Sequence, residues 1–249
     1  MKPAWNARLI QIAAVVAVLA AWYAVTASGA ISPIFLPAPE AVWRQLVRII
    51  ATGQIVEPLR VTLTEVVIAY AIAALSGVAI GYGASLSPFL VRVFEPLFSS
   101  IYAIPIVILF PLCILFFGIG PESKIAFGAT YGFFPVVLNT IAAFGHVDRR
   151  YVRWARAMGA SETQLFRHVM LPAALPVVMS GLRIGFVITF ASTIGGETLA
   201  SLQGLGNRIV YFGELMAGAE MFAYIAFVIA FAFLMNALSL RLESRGRRR

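Results

Sequence analysis

With 249 residues, 61% of them hydrophobic and 12% charged, and a mean hydropathy of +0.90, the chain is too apolar for an ordinary water-soluble domain and has the composition of a bilayer protein. A net charge of +8 and a pI near 10.1 do not point to nucleic acid, because the Lys and Arg residues stand between long apolar blocks rather than among soluble core segments. The single cysteine, Cys113, excludes an internal disulfide and a cysteine zinc cluster and reads as an apolar core residue, while neither lysine, Lys2 or Lys124, lies in a Walker A sequence, so a P-loop nucleotide site is absent.

Residues 9–27 form an apolar run preceded by Lys2 and Arg8, long enough at about 1.5 Å per residue to cross a hydrocarbon core of about 30 Å. Signal segments have apolar stretches of about 7–15 residues, so this run is read as a first span despite the small residues Ala27 to Ala30 that follow. Pro33, Pro37 and Pro39 then interrupt the chain. Residues 40–52 place Val42, Leu46, Ile49 and Ile50 on one face and Glu40, Arg44 and Arg48 on another, which predicts an interfacial amphipathic helix started by Pro39 and stopped by Gly53.

A second span is expected over 66–91, which carries no charge, with Gly77 and Gly81 offering a small-residue face for close helix approach. Glu65 stands at its outer end, within reach of the headgroups or as a candidate intramembrane charge. The third span, 97–117, contains Pro105 and Pro111 and is expected to be kinked or broken. The fourth, 125–145, has Asn139 as its most polar side chain.

Residues 146–172 are a charged island with five arginines, Arg149, Arg150, Arg153, Arg156 and Arg167. Tyr151 to Met158 reads as a short helix ended by Gly159, and Ser161 with Gln164 has capping-box spacing for a second helix to about Met170, with Pro172 as the break before the next span. A fifth span over 173–196 carries Arg183 near the bilayer middle, at a cost of about 2.5–3.5 kcal/mol that requires it to face protein or water. It is read either as an anion-attracting path or gate residue or as a structural arginine with a partner. The glycine-rich stretch 195–206 reads as a re-entrant or extracellular turn, and 221–240 as the sixth span. The basic C-terminus is suited to the anionic inner leaflet.

With the N-terminus inside, thirteen Lys and Arg fall in inner segments: Lys2, Arg8, Arg92, the five of the island, and Arg241, Arg245, Arg247, Arg248 and Arg249. Five fall outside, Arg44, Arg48, Arg60, Lys124 and Arg208, so both termini and the island are expected in the cytoplasm. A membrane enzyme needs a catalytic group at depth, yet His146 and His168 both fall in the island and no hydrolase or zinc-protease motif is present. An autonomous carrier or channel is the alternative transport class, but neither a filter sequence nor repeated acidic residues within spans occur.

The island resembles the signature loop of ABC importer permeases, written E-A-A, three residues, G, nine residues, I-x-L-P. Ala155, Gly159, Val169, Leu171 and Pro172 stand at matching positions, while Arg153 and Trp154 depart from the usual Glu and Ala. Leu36 to Glu40, Gly181-Leu182-Arg183, and Glu197 followed by Gly204-Leu205-Gly206 are similar to the nitrate, sulfonate and taurine branch, so the resemblance covers most of the chain. It implies one all-α, polytopic permease domain of about six spans with the type I importer fold, acting as a transport subunit and not an enzyme.

It further implies a solute path for a small molecule of the nitrate, sulfonate, taurine, bicarbonate or vitamin-precursor kind. The implied partners are a second permease copy, two cytoplasmic ATPases holding ATP and magnesium, and an extracytoplasmic solute-binding protein, in a bacterial inner membrane; no cofactor or metal is implied on this chain. ATPase coupling would fall to Arg153, Trp154, Ala155, Arg156, Gly159, Ala160, Ser161, Val169, Leu171 and Pro172, and the path or gate to Arg183, Glu197 and Asn139.

Overall fold

The computed structural model describes residues 4–246, and the secondary structure among them is helical. Lys2 and the terminal Arg247, Arg248 and Arg249, which entered the charge count, lie outside the described residues. The helices are α1 (Ala4–Ala27), α2 (Pro39–Ala51), α3 (Val56–Ser85), α4 (Pro88–Ala103), α5 (Phe110–Phe117), α6 (Pro121–Gly145), α7 (Arg149–Ala157), α8 (Glu162–Leu165), α9 (Leu171–Leu199), α10 (Leu205–Glu214) and α11 (Gly218–Gly246). Five stretches are long and apolar enough to cross a membrane, and α4 with the stretch 107–117, bent by 77° at a break that includes Pro105, counts as a sixth when the bent pair is taken as one span. That break is the one expected from proline, which removes a backbone donor and clashes with the preceding turn.

The centre of the bundle is α3, α6 and α9, packed backbone to backbone through small residues. α3 runs parallel to α6: a Cβ on Gly77 would sit 2.8 Å from Val136 Cβ, and one on Gly81 would sit 2.7 Å from Thr140 Cβ. α9 runs antiparallel to α6, its Gly181 against Asn139 and its Gly185 against Val136, while Gly128 and Gly132 of α6 receive Thr193 and Thr189. Without a hydrophobic drive between helices in lipid, this closeness gives the dispersion contact that holds them. Gly77 and Gly81 therefore face a core helix and not lipid.

α2 is amphipathic as its spacing predicts, with Val42 and Ile49 buried against Ile55, Leu205, Ala223 and Tyr224, and Leu46 beside them. Ile50 departs from that face and is exposed, because it lies one residue round the helix from Ile49.

Several boundaries differ from hydropathy. α3 begins ten residues before 66 and ends at Ser85, so Glu57, Arg60 and Glu65 are helical, and Ser87 accepts from Phe89 N–H to start α4 at Pro88. Charges near a span end lower local hydropathy without ending the helix. The stretch after Leu199 is no simple loop, since Leu205 to Glu214 forms α10.

Candidate translocation and coupling sites

At the end of the bundle where α6 stops, the island forms a helix, a turn and a second helix. Asp148 accepts from Arg150 N–H at 2.8 Å and caps α7. Its end is a Schellman motif: Gly159 N–H donates to Arg156 O and Ala160 N–H to Ala155 O, both at 3.0 Å, with Gly159 in the left-handed region at φ +81°. The capping box then closes α8, Gln164 N–H donating to Ser161 Oγ at 3.3 Å and Ser161 N–H to Gln164 Oε1 at 2.9 Å. An exposed ion pair, Arg156 Nη2 to Glu162 Oε1 at 2.9 Å, spans the turn.

Ala155 is buried, whereas Arg153, Trp154 and Arg156 are exposed and Ala160 is half-buried. Pro172 does not break the chain. Helix continues from Glu162 to Leu199, with a π-helical turn over Phe166–Met170 in which Leu171 N–H reaches back to Phe166 O. The wider turn precedes the proline, where the ring would otherwise meet the carbonyl four residues earlier. Val169 and Leu171 are half-buried on this continuous helix, and Met170 and Leu171 pack towards Ala143, Phe144 and Ala174, so the loop is firmly joined to α6 and α9.

The three path candidates do not form one site. Arg183 is half-buried near the middle of α9, next to Leu182, whose carbonyl accepts from Tyr70 Oη on α3 at 3.1 Å. Asn139 is occupied within α6, its amide donating to Pro135 O at 2.8 Å while its Cβ packs on Gly181. Glu197 lies fourteen residues from Arg183, roughly 21 Å along the helix.

Glu197 is buried at the opposite end of the bundle from α7, inside α9 and not on a turn. Thr62 Oγ1 donates to its Oε1 at 2.6 Å and Gly206 N–H to its Oε2 at 2.7 Å, while Leu205 N–H donates to Thr62 Oγ1 at 2.9 Å. The carboxylate thus occupies the N-terminus of α10, where free N–H groups and the helix dipole favour an anion. Gly204, at φ +103°, and Gly206 are required there: a Cβ on Gly206 would sit 2.5 Å from Ile194 O and 2.7 Å from Glu197 Cβ, and one on Gly204 would collide with the carboxylate. Glu197 faces the interior, with the partners of a structural cap rather than an open path.

Two more charges join it. Glu65 and Lys124 are near enough to act electrostatically on Glu197, and Glu65 Oε2 is buried without a hydrogen-bond partner among the described residues. Lys124 is buried, donating through Nζ to Ile119 O at 2.5 Å and Gly120 O at 3.0 Å. Lys124, expected in an outer segment, is interior, and of the two readings left open for Glu65 the buried one holds. The sequence signal available was only that three charges stand at the rims of three different spans.

The family described as binding-protein-dependent transport system inner membrane component matches residues 73–248. The taurine transport system permease protein TauC of Escherichia coli strain K12 is 32% identical over 241 residues, 95% of this chain and 87% of the relative. The putative aliphatic sulfonates transport permease protein SsuC of the same organism is 31% identical over 202 residues, 81% of this chain and 77% of that one. Among solved structures, the inward-facing MetNI methionine ABC transporter matches with a TM-score of 0.64 at 20% identity, over 75% of this chain and 93% of that chain. An amino acid ABC transporter crystallised with histidines matches with a TM-score of 0.64 at 19% identity, over 82% and 98%. The chain therefore belongs to the binding-protein-dependent inner-membrane component family and is a multi-pass permease subunit of a bacterial ABC importer.

Proposed function

We propose that this permease forms the path for a small organic anion of the sulfonate class, delivered by an extracytoplasmic solute-binding protein and driven by two cytoplasmic ATPases that hold ATP and magnesium. The relatives named for taurine and aliphatic sulfonates support the substrate class. Arg183, a cation held partway along a spanning helix, is the observation that carries an anionic substrate on this chain. Two copies of the permease enclose the path, and the exposed end of the α7–Gly159–α8 element meets the ATPase. Both termini and α7 lie in the cytoplasm, an orientation supported by the thirteen-to-five excess of Lys and Arg. The two carboxyls and lysine at the other end then sit near the extracytoplasmic face.

Closure of the ATPase pair shifts the α7–α9 unit, and the rigid α3–α6–α9 packing carries that shift across the membrane as a change of access. No chemistry in this chain is needed; the drive is the difference in ATPase contact between two states.

The substrate reading is tested by reconstituting permease, cognate ATPase and cognate binding protein in liposomes and measuring ATP-driven uptake of labelled taurine, with unlabelled alkanesulfonates, nitrate and riboflavin as competitors. Competition by sulfonates alone is the expected pattern. Uptake that sulfonates leave untouched while a neutral heterocycle abolishes it would overturn the assignment.

A further inference from the structure

A groove of about 860 Å³ opens between α7, the corner joining α3 to α4, and the end of α6. Its wall is apolar at Leu86, Val91 and Phe144, and three guanidinium groups line it, Arg92 from α4 and Arg153 and Arg156 from α7. Little opposes these charges. Arg92 Nε donates to Pro88 O at 3.2 Å, Arg156 holds the surface pair with Glu162, and among the described residues no carboxylate lies within 4.0 Å of Arg92 or Arg153. Beside the groove, Tyr151 and Trp154 of α7 and Met158 just past its end are 63%, 73% and 82% exposed. Aromatic and arginine side chains on a nine-residue helix outside the spans, with a methionine at its end, have the composition of an interface centre.

We propose, on the reading that α7 is the ATPase-coupling element, that the ATPase surface receiving it is acidic, with carboxylates entering the groove to pair with Arg92 and Arg153 and to draw Arg156 from Glu162. The planar guanidinium fork pairs with a carboxylate through two parallel bonds, which fixes orientation as well as attraction. The exchange at Arg156 is inexpensive, since its pair with Glu162 is solvent-exposed and screened. A folded acidic partner fits better than an anionic lipid surface, because Asp148 before α7 and Glu162 at the start of α8 would be repelled by a continuous sheet of negative headgroups. A protein can place its carboxylates between them.

The test uses the full-length permease in phosphatidylcholine nanodiscs, titrated with its cognate ATPase at roughly 0.05 and 0.5 M salt, where screening lengths fall several-fold. Affinity should weaken at least about tenfold at high salt, and Arg92→Glu with Arg153→Glu should weaken it about as much at low salt. Binding should return when one carboxylate of the ATPase docking face is changed to Arg. Arg48→Glu, on α2 at the other end of the bundle, is the control and should bind as wild type.

Salt-independent binding that the double reversal leaves unchanged would overturn the proposal. So would loss of copurifying phosphatidylglycerol in the double variant with ATPase affinity intact, which would mark the groove as a lipid headgroup site. Gly159→Val separates the two layers. If it weakens ATPase binding while the arginine reversals do not, α7 remains the coupling element and only the acidic face is wrong; if it too has no effect, the coupling reading falls as well.

Discussion

At Glu197 one carboxylate ties together three pieces of chain, Thr62 on α3, the start of α10, and the Lys124 neighbourhood on α6. Glu197→Ala would leave Gly206 N–H without its partner and a buried lysine with less compensation, and breaking such a buried set costs about 3–5 kcal/mol. Thr62→Val removes one hydroxyl that both accepts and donates, and should cost about 1–3 kcal/mol. Thermal unfolding of the purified protein in detergent checks the order. Equal stability of Glu197→Ala and wild type would show that the cluster does not hold this end together.

Gly159 is a different kind of residue. A Cβ there would meet nothing within 4 Å, so its constraint is conformational: φ +81° costs an L side chain about 1–2 kcal/mol, most for a β-branched one. Gly159→Val should leave the spans inserted and reduce ATPase copurification, with Ala160→Val milder and Gly159→Asn intermediate. Arg183→Met keeps length and removes charge; uptake should fall while expression holds, and normal uptake would remove Arg183 from the path.

Among the elements, α3, α6 and α9 are specified by what they lack. Gly132 admits Thr189, whose buried hydroxyl has no hydrogen-bond partner among the described residues. Gly132→Val should therefore overpack the seam by about 1–3 kcal/mol. Gly83 on α3, with nothing within 4 Å of an added Cβ, is the matched control and should be far milder. Equal loss of stability in both would mean helix propensity, not the seam, is being measured.

Local chemistry was legible from the residues, which is why the Gly77 and Gly81 face, the break at Pro105, the amphipathic α2 and the helix–Gly159–capping-box turn could all be read. The last three depend on partners within a few positions, and the glycine face on the spacing of two small residues along one helix, although its partners Val136 and Thr140 lie on α6. The Glu65, Lys124 and Glu197 cluster was not legible, because its defining bond, Thr62 to Glu197, joins residues 135 apart and hydropathy scores each charge alone. α10 is hidden by Gly204 before it and Gly206 in its first turn, which serve close packing on Glu197 rather than flexibility. Pro172 reads as a stop because the π-helical turn that accommodates it has no sequence signature.

For the whole molecule, orientation comes first. In a Cys113→Ala background, Ser28→Cys should label with an impermeant thiol reagent in intact cells and Ser161→Cys only after permeabilisation; labelling of Ser161→Cys from outside would invert the topology. The claim on which everything else rests is that this chain moves solute only when an ATPase engages the α7–Gly159–α8 element. It is tested most directly by substrate uptake into proteoliposomes containing the permease alone, then with cognate binding protein and ATPase, and finally with Gly159→Val in the complete system. Uptake should require all three proteins and ATP with magnesium, and should be lost with Gly159→Val although the permease is inserted. Sustained uptake by the permease alone, driven by a solute or ion gradient, would contradict the account and make this chain an autonomous carrier.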